Sequence, residues 1–185
     1  KPLISITLPV HNSSQHLREC VRSLLSQSYK NIEILAIDDD SKDDSYKTLR
    51  KFAKKDKRLK VSRNVKRYGI GITLNRIIKK TKGSFIAFMD AEDVSTKDRL
   101  KKQLLYLKSN PQVVAVGTQC FFVGKNEKKL GKSKFPKENE NIYGSPLHGV
   151  SIQFETVMIN KNLLPKDVLR FDTKSNHFMY SDVFL

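Results

Sequence analysis

The sequence has little cysteine, no long apolar run and none of the common phosphate-binding loops. Its two cysteines, Cys20 and Cys120, lie far apart and match no zinc-ligand spacing, which predicts free buried thiols in a reducing compartment. No apolar stretch approaches the roughly 18 residues of a membrane-spanning helix, and no segment within these residues has the form of a signal peptide. Gly69-Ile70-Gly71 is too short for a dinucleotide-binding or P-loop fingerprint, so a Rossmann dehydrogenase or P-loop ATPase is not indicated.

Acidic residues are also scarce, at 19 against 35 lysines and arginines, which gives a formal net charge of +16. Eleven basic residues lie between Lys47 and Arg67, and six lysines between Lys125 and Lys137. Such a charge is compatible with binding to nucleic acid, with docking on an anionic membrane or with simple solubility. Because no base-reading motif accompanies it, we expect no direct nucleic-acid function. We expect a cytoplasmic protein, with peripheral contact at the inner face of the membrane left open.

The few acids are concentrated in two places, with five between positions 38 and 44 and four between 90 and 98. Each group follows a short apolar run, Ile32 to Ile37 or Phe85 to Met89, of the kind that forms a strand buried on both faces. The carboxyl ends of strands form the ligand-binding edge of an open α/β sheet. Clustered carboxylates repel one another, so a hard divalent cation is their natural partner. The alternative is a solvated turn in which Asp93 caps the next helix.

The order of apolar patterns predicts an α/β fold. Strand-like and helical segments alternate four times up to Leu107, which favours a mostly parallel sheet with helices on both faces. The expected helices include residues 14–28 and the segment that starts at the capping-box sequence Ser41 to Asp44. Beyond Pro111 we expect strands of mixed direction, followed by a helix near Asn162. These strands cover 113–116, 119–123 and 156–159, with a lysine-rich loop at 124–141.

Four segments resemble, in order and spacing, motifs of the family 2 inverting glycosyltransferases. Ile4 to Asn12 (ISITLPVHN) is similar to that family's opening strand, and Ile37 to Ser41 (IDDDS) to its V-D-D-G-S turn. Leu74-Asn75 resembles part of a helix that follows, and Gly83 to Asp93 (GSFIAFMDAED) resembles the D-x-D strand.

The resemblance covers residues 3–108 strongly and is traceable to the end of the chain. It implies the GT-A fold of nucleotide-diphospho-sugar transferases as a single domain over residues 1–185. The nucleotide-sugar-binding half would be 1–110 and the acceptor-side half 111–185. We expect the second half to be truncated, because the chain stops at Leu185 inside an apolar-periodic segment.

The resemblance implies that the first strand end and the turn after the second hold the nucleotide. Pro9, Val10 and His11 would line the base, usually uracil, and His11 stands where the family often has Tyr. Asp39 would accept a hydrogen bond from the base, and Asp38 would support the turn.

The resemblance assigns the diphosphate and the metal to the third motif and the basic loop. Asp90 and Ala91 would contact the donor, with Asp90 on the ribose or the water shell of the metal. Glu92 would ligate Mn²⁺ or Mg²⁺ directly, which also suits a chain without a phosphate loop. Arg67 is the candidate for a pyrophosphate contact.

Two residues depart from the family pattern. Glu92 replaces the second Asp of D-x-D, which keeps an oxygen ligand but adds a methylene. Asp40 replaces the usual Gly of D-D-G-S. If that position requires a positive φ, Asp tolerates it better than most residues but less well than Gly.

The implied reaction is a metal-assisted single displacement with inversion. A hexosyl or N-acetylhexosaminyl group would pass from a UDP-sugar to a glycan or lipid-linked acceptor in polysaccharide synthesis. Inversion needs a general base on the acceptor hydroxyl, and Asp182, in Tyr180 to Leu185, is the local match to the family's E-D pair. The alternative is that Asp182 caps a helix. His148 lies in a possible acceptor loop, although a lone His is more often structural.

Three other functional classes are alternatives to a glycosyltransferase. A phospho-receiver domain also has acids after strands, but its acidic pair follows the first strand. A sugar-phosphate nucleotidyltransferase would need a Gly-rich loop after the first strand, where Pro9 to Ser13 stands instead. The third class is a non-catalytic nucleotide-sugar or anionic-surface binding module. A module that uses the basic surface would show salt-sensitive affinity for nucleic acid or anionic lipid without sugar-nucleotide binding.

Overall fold

The computed structural model describes residues 1–124, 128–137, 141, 152–165 and 168–171. The first half alternates strands and helices as the sequence predicts, and shorter strands follow. The elements are β1 (Ile4–Val10), α1 (Leu17–Leu25), β2 (Ile32–Asp38), α2 (Ser45–Lys55), β3 (Leu59–Arg63), α3 (Ile70–Ile78), β4 (Phe85–Phe88), α4 (Arg99–Ser109), β5 (Ala115–Val116), β6 (Phe121–Val123), β7 (Lys129–Lys132) and β8 (Met158–Asn160). Two 3₁₀ turns, Phe154–Thr156 and Lys161–Leu163, flank β8.

The central sheet has six strands in the order β3-β2-β1-β4-β8-β5. Strands β1 to β4 pair in parallel, whereas β8 is antiparallel to both β4 and β5. The prediction of a mostly parallel sheet with mixed strands in the second half is therefore confirmed. Strands β6 and β7 form a separate antiparallel pair.

Helices cover both faces of this sheet, which explains why β2 is buried along its whole length. On one face, Ile4, Ile6 and Leu8 of β1 pack with buried residues of α1, α2 and α4. On the other face, α3 contributes Leu74 to a cluster with Ile86 and Phe88 of β4. Continuous apolar strands are the expected solution for a sheet that is buried on both sides.

Several predicted boundaries were wrong. Residues 124–141 were expected to be loop, yet they contain β7. The strand was missed because its sequence, KLGK, has two lysines and one apolar residue and resembles a polar loop. The segment near Asn162 is a single 3₁₀ turn. Helix α1 is shorter than residues 14–28. The capping box at Ser41 does not form either, since α2 begins after Asp44 and the Ser41 hydroxyl accepts a hydrogen bond from Asn12 N at 3.0 Å.

The chain reverses its winding direction between β1 and β4. It builds β1, β2 and β3 outward on one side, and then crosses to place β4 on the other side of β1. At the other end of this pair of strands, Gly83 lies so close to β1 that a Cβ there would be 2.6 Å from Leu3 O, so only glycine fits. In open α/β sheets, ligands bind at the carboxyl ends of the strands that flank such a reversal. In the described part of the chain no helix is long and apolar enough to cross a membrane.

Candidate functional site

The loops that follow β1 and β2 are bonded to each other. Asp39 N donates to Val10 O at 2.7 Å, and His11 Nδ1 lies 2.8 Å from Asp39 O, which assigns the ring proton to Nδ1. Asn12 adopts a left-handed backbone with φ of 51° and accepts from Lys42 N at 2.8 Å. His11 is therefore held at the carboxyl end of β1, beside the reversal point.

The residues predicted to line a base contribute different atoms at this edge. Pro9 and His11 are half-buried. Val10 is 2% exposed and packs in the core, and its carbonyl oxygen already accepts from Asp39 N, so it supports this edge from within.

The Asp39 carboxylate fixes the loop between β3 and α3. Its Oδ1 accepts from Asn64 Nδ2 at 2.7 Å and from Tyr68 N at 2.9 Å, and its Oδ2 accepts from Gly69 N at 2.8 Å. Gly69 has φ of 85°, a conformation that a side chain would strain. The sequence did not reveal this clamp, because Asn64 and Gly69 are 25 or more positions from Asp39 and carry no motif of their own.

Aromatic and basic side chains extend the same loop. The Arg76 guanidinium carbon lies 3.9 Å from the centre of the Tyr68 ring, and Arg76 Nη1 donates to Asn64 Oδ1 at 2.6 Å. Lys66 Nζ approaches the same ring at 5.5 Å. Arg67 stands exposed between these residues. The result is a positively charged loop anchored to a buried carboxylate.

Asp38 and Asp40 are paired with basic side chains. Asp38 is fully buried, and its Oδ2 contacts Arg63 Nε at 3.0 Å and accepts from Ser41 N at 3.1 Å. Its Oδ1 is buried without a hydrogen-bond partner among the described residues. Asp40 has φ of 57°, the left-handed conformation considered above for this position, and pairs with Lys42 at 2.7 Å. The Lys42 hydrogen bond holds the pKa of Asp40 below its usual range.

The acids after β4 are arranged differently. Asp90 Oδ1 accepts from Glu92 N at 2.7 Å, and Glu92 and Asp93 remain partly accessible to solvent. Burial, together with the charges of Glu155 and Glu92, raises the pKa of Asp90. Burial and the neighbouring charges, chiefly Asp90, raise the pKa of Asp93 to about 6. Within the described ranges, none of these three acids forms a salt bridge.

Glu155 is a fourth acid at this strand end, and sequence reasoning missed it. It lies in the 3₁₀ turn before β8, next to Phe154, whose ring centre is 4.3 Å from that of Phe88. Because β8 runs antiparallel to β4, with Ala87 opposite Met158, the residues before β8 must lie beside those after β4. The position of Glu155 would have followed from that pairing, which the sequence did not predict.

A buried arginine lies behind the cluster. Arg99 is 8% exposed and donates through Nη2 to Phe88 O at 2.8 Å and through Nε to Gln103 Oε1 at 3.2 Å. Burial lowers the pKa of Arg99 to about 10, against the opposing effect of Asp93. Its hydrogen bonds go to a backbone carbonyl, an amide oxygen and the Met89 sulfur, so Arg99 offsets the negative charge of the cluster without pairing with a carboxylate.

The donor set after β4 fits a hard divalent cation of the Mn²⁺ or Mg²⁺ type. Asp90 and Glu92 offer carboxylate oxygens that lack a basic partner among the described residues, and Glu155 adds a further negative charge beside them. Within the described residues, no three His, Cys, Asp or Glu side chains form a ready-made cage. Mg²⁺ is usually held by one or two carboxylates together with substrate phosphates, so a pair of carboxylates is a compatible donor set.

Of the remaining predicted residues, one is described and two are not. Ala91 is buried directly after Asp90. Asp182 and His148 lie outside the described residues. Cys20 is buried as predicted, and its thiol donates to Asp90 O at 3.3 Å, whereas Cys120 is half-buried; both are free.

Comparison with known proteins places this arrangement in a family. The model of "Glycosyl transferase family 2" matches residues 5–164. An uncharacterized glycosyltransferase of Haemophilus influenzae is 33% identical over 172 residues, which is 92% of this chain and 66% of the relative. WfgD of Escherichia coli, a UDP-Glc:alpha-D-GlcNAc-diphosphoundecaprenol beta-1,3-glucosyltransferase, is 27% identical over 98% of this chain and 69% of its own length. The chain spans 55 to 66% of the length of the first three curated relatives.

Solved structures agree on the fold. The mannosyltransferase PcManGT of Pyrobaculum calidifontis, in complex with GDP-Man and Mn²⁺, has a TM-score of 0.70 at 19% identity over 94% of this chain and 48% of its own. TarS of S. aureus in complex with UDP-GlcNAc has a TM-score of 0.68 at 22% identity over 91% of this chain and 48% of its own. These likenesses confirm the predicted GT-A fold. The family model, which matches most of the chain, shows that the chain belongs to glycosyl transferase family 2.

Proposed function

We propose that the protein transfers a sugar from a UDP-sugar to a glycan or lipid-linked acceptor hydroxyl, with inversion and with help from a divalent cation. The observation that carries the proposal is the acid cluster after β4. It stands beside the winding reversal of the sheet and lacks basic partners in the described structure. A nucleotide diphosphate with its cation would supply the missing positive charge.

The nucleotide would lie across the ends of β1 and β2. His11 and Pro9 offer half-buried surface at the edge of the sheet, and Tyr68 lies on the loop that Asp39 anchors. Asp39 already accepts three hydrogen bonds, and a carboxylate has about four acceptor positions, so one more donor from a base can be accommodated. UDP is favoured because TarS was solved with UDP-GlcNAc and the name of WfgD specifies UDP-Glc.

The diphosphate would face the acids of β4 and the basic loop. Asp90 and Glu92 would hold the cation, which when bound supplies Lewis-acid stabilisation of charge on the leaving diphosphate. Arg67 is exposed on the loop that Asp39 anchors, and we assign it a direct contact with the pyrophosphate. Glu155 adds negative charge at the same place, which strengthens the attraction for a cation.

The chemical step is a single displacement. Asp182 would accept the proton of the acceptor hydroxyl, whose oxygen forms a bond to the anomeric carbon as the bond to UDP breaks. General-base help of this kind typically contributes about 10²–10⁴-fold in rate. The name of WfgD, which specifies a diphosphoundecaprenol-linked acceptor, supports a lipid-linked acceptor here as well.

Calorimetric titration of UDP, with and without Mn²⁺, tests the donor site. We expect binding that depends on the cation and that Glu92→Ala weakens by at least tenfold. Glu19→Ala on the exposed side of α1 is the matched control, because it removes a carboxylate far along the chain from both clusters. Thermal melts of each variant separate loss of binding from loss of fold.

Two results would overturn parts of the proposal. If UDP binding does not depend on Mn²⁺ and is unchanged in Glu92→Ala, the cation is not part of the donor site. Absence of binding to UDP and to other nucleoside diphosphates, in a protein that melts cooperatively, would favour a non-catalytic binding module. If UDP binds, hydrolysis of UDP-sugars and its loss in Asp182→Asn would test the chemical step.

A further inference from the structure

The pair of strands β6 and β7 exposes an unusual amount of apolar surface. Phe121 is 52% exposed, Phe122 50%, Val123 56% and Leu130 71%. All four lie on seven strand residues, on a pair that is separate from the central sheet. Single exposed apolar residues are ordinary, but four on one small element make that element a candidate interaction surface.

This hairpin is held firmly at its base. Gln119 Oε1 accepts from Ser133 Oγ at 2.7 Å and from Phe135 N at 2.9 Å, and Ser133 Oγ accepts from Cys120 N at 2.8 Å. Ser133 itself is only 6% exposed. The preceding residue, Thr118, donates its N–H to Thr156 Oγ1 at 3.1 Å, which ties the hairpin to the segment before β8. The apolar side chains are thus presented by a braced element.

Lysines surround the apolar group. Lys129 Nζ lies 4.6 Å from the centre of the Phe121 ring, and Lys132 is opposite Phe121 in the strand register. Five described lysines of this region are exposed: Lys128, Lys129, Lys132, Lys134 and Lys137. The sequence from 121 to 137 holds six lysines and one acid, Glu127. Lysines interleaved with exposed apolar side chains complement a surface that is apolar beneath a layer of anionic groups.

We propose that the β6–β7 hairpin docks the protein on an anionic lipid bilayer. Phe121, Phe122, Val123 and Leu130 would enter the interfacial region, and the lysines would lie among the headgroup phosphates, each adding favourable electrostatic energy. A second copy of the chain is a poorer occupant, because two such faces would bring their lysines together. Single-stranded nucleic acid is disfavoured because half of the apolar group, Val123 and Leu130, is aliphatic and cannot stack on bases.

The docking is independent of glycosyl transfer, so it can fail or succeed whatever the UDP titration shows. The test is co-sedimentation with vesicles of phosphatidylcholine alone or with about 30% phosphatidylglycerol. We expect binding to the anionic vesicles that weakens with salt. Removing two charges in Lys129→Gln/Lys132→Gln should lower the partition coefficient roughly 30-fold, since each lysine near an anionic surface contributes a factor of roughly five.

The apolar part is tested separately by Phe122→Ser/Leu130→Ser, for which we expect a loss of about tenfold or more. The matched controls lie on α4, where Leu105 is 55% exposed and Lys101 and Lys102 are also exposed. Leu105→Ser and Lys101→Gln/Lys102→Gln should bind vesicles like the wild type. UDP binding should be unchanged in every one of these variants.

Any of four outcomes would overturn the proposal. They are equal binding to neutral and anionic vesicles, no binding to either, equal losses in the hairpin and α4 variants, and a dimer in sedimentation velocity that the hairpin variants abolish. Binding to a fluorescent oligonucleotide that the hairpin variants reduce, without vesicle binding, would assign the surface to nucleic acid instead.

Discussion

The two acid clusters of this sheet have similar sequences but different surroundings. After β2, every acid of the IDDDS turn has protein partners: Asp38 has Arg63, Asp39 has three N–H donors, and Asp40 has Lys42. After β4, Asp90, Glu92 and Asp93 have no basic partner among the described residues, and the pKa values of Asp90 and Asp93 are raised. The carboxylates of the first cluster bind other parts of the protein and so fix its loops. Those of the second cluster have no basic partner among the described residues, so a bound cation can neutralise them.

The largest effect should come from removing charge in the first cluster. Asp39→Asn replaces one acceptor oxygen by an amide that faces a buried backbone N–H, so we expect a loss of about 2–3 kcal/mol in the free energy of unfolding. Urea denaturation measures it. Asp44→Asn, at a side chain that is 75% exposed, is the matched control and should change stability by less than about 0.5 kcal/mol. Equal effects at the two sites would mean that the clamp is not needed.

The same substitution in the second cluster should act in the opposite direction. Asp90→Asn keeps the oxygen that accepts from Glu92 N and removes a charge that burial and neighbouring acids disfavour. We expect the metal-free protein to be unchanged or stabilised by up to about 1 kcal/mol. The variant should also lose any stabilisation by Mn²⁺. A loss of more than about 1 kcal/mol without metal would show that the carboxylate is paired, and the contrast between the clusters would fail.

The stability difference between wild type and Asp43→Asn should be smaller than these and should depend on pH. Asp43 accepts from Ser14 N and Ser45 N; burial raises its pKa, but the Ser45 and Ser14 hydrogen bonds outweigh that and lower it to about 2. A lowered pKa stabilises the fold above the ordinary value near 3.8, and this stability is lost as pH falls toward 2. Because the side chain is exposed, we expect wild type to exceed Asp43→Asn by at most about 1 kcal/mol at pH 7 and by much less at pH 2. A gap that does not change with pH would contradict this.

The sequence predicts the sheet well where one strand follows another through a helix. Short apolar runs that end at Asp38 and Asp90 are strong local signals for strands. The right-handedness of the crossover connections then determines how these strands are arranged. The antiparallel entry of β8 depends on contacts 70 residues apart, and with it Glu155 was missed. The Asp39 clamp was missed for a similar reason, since Asn64 Nδ2 and Gly69 N become its partners only after β3 has paired with β2.

The central position of β1 has a consequence for how the chain is made. Its first partner, β2, is synthesised soon after it, but its second partner, β4, follows about 46 residues beyond the end of β2. At roughly 5–20 residues per second on the ribosome, one edge of β1 stays unpaired for roughly 2–9 s. An unpaired strand edge with apolar side chains can pair with other chains. The central strand β1 is therefore completed late, only when Phe85 to Phe88 have paired with it.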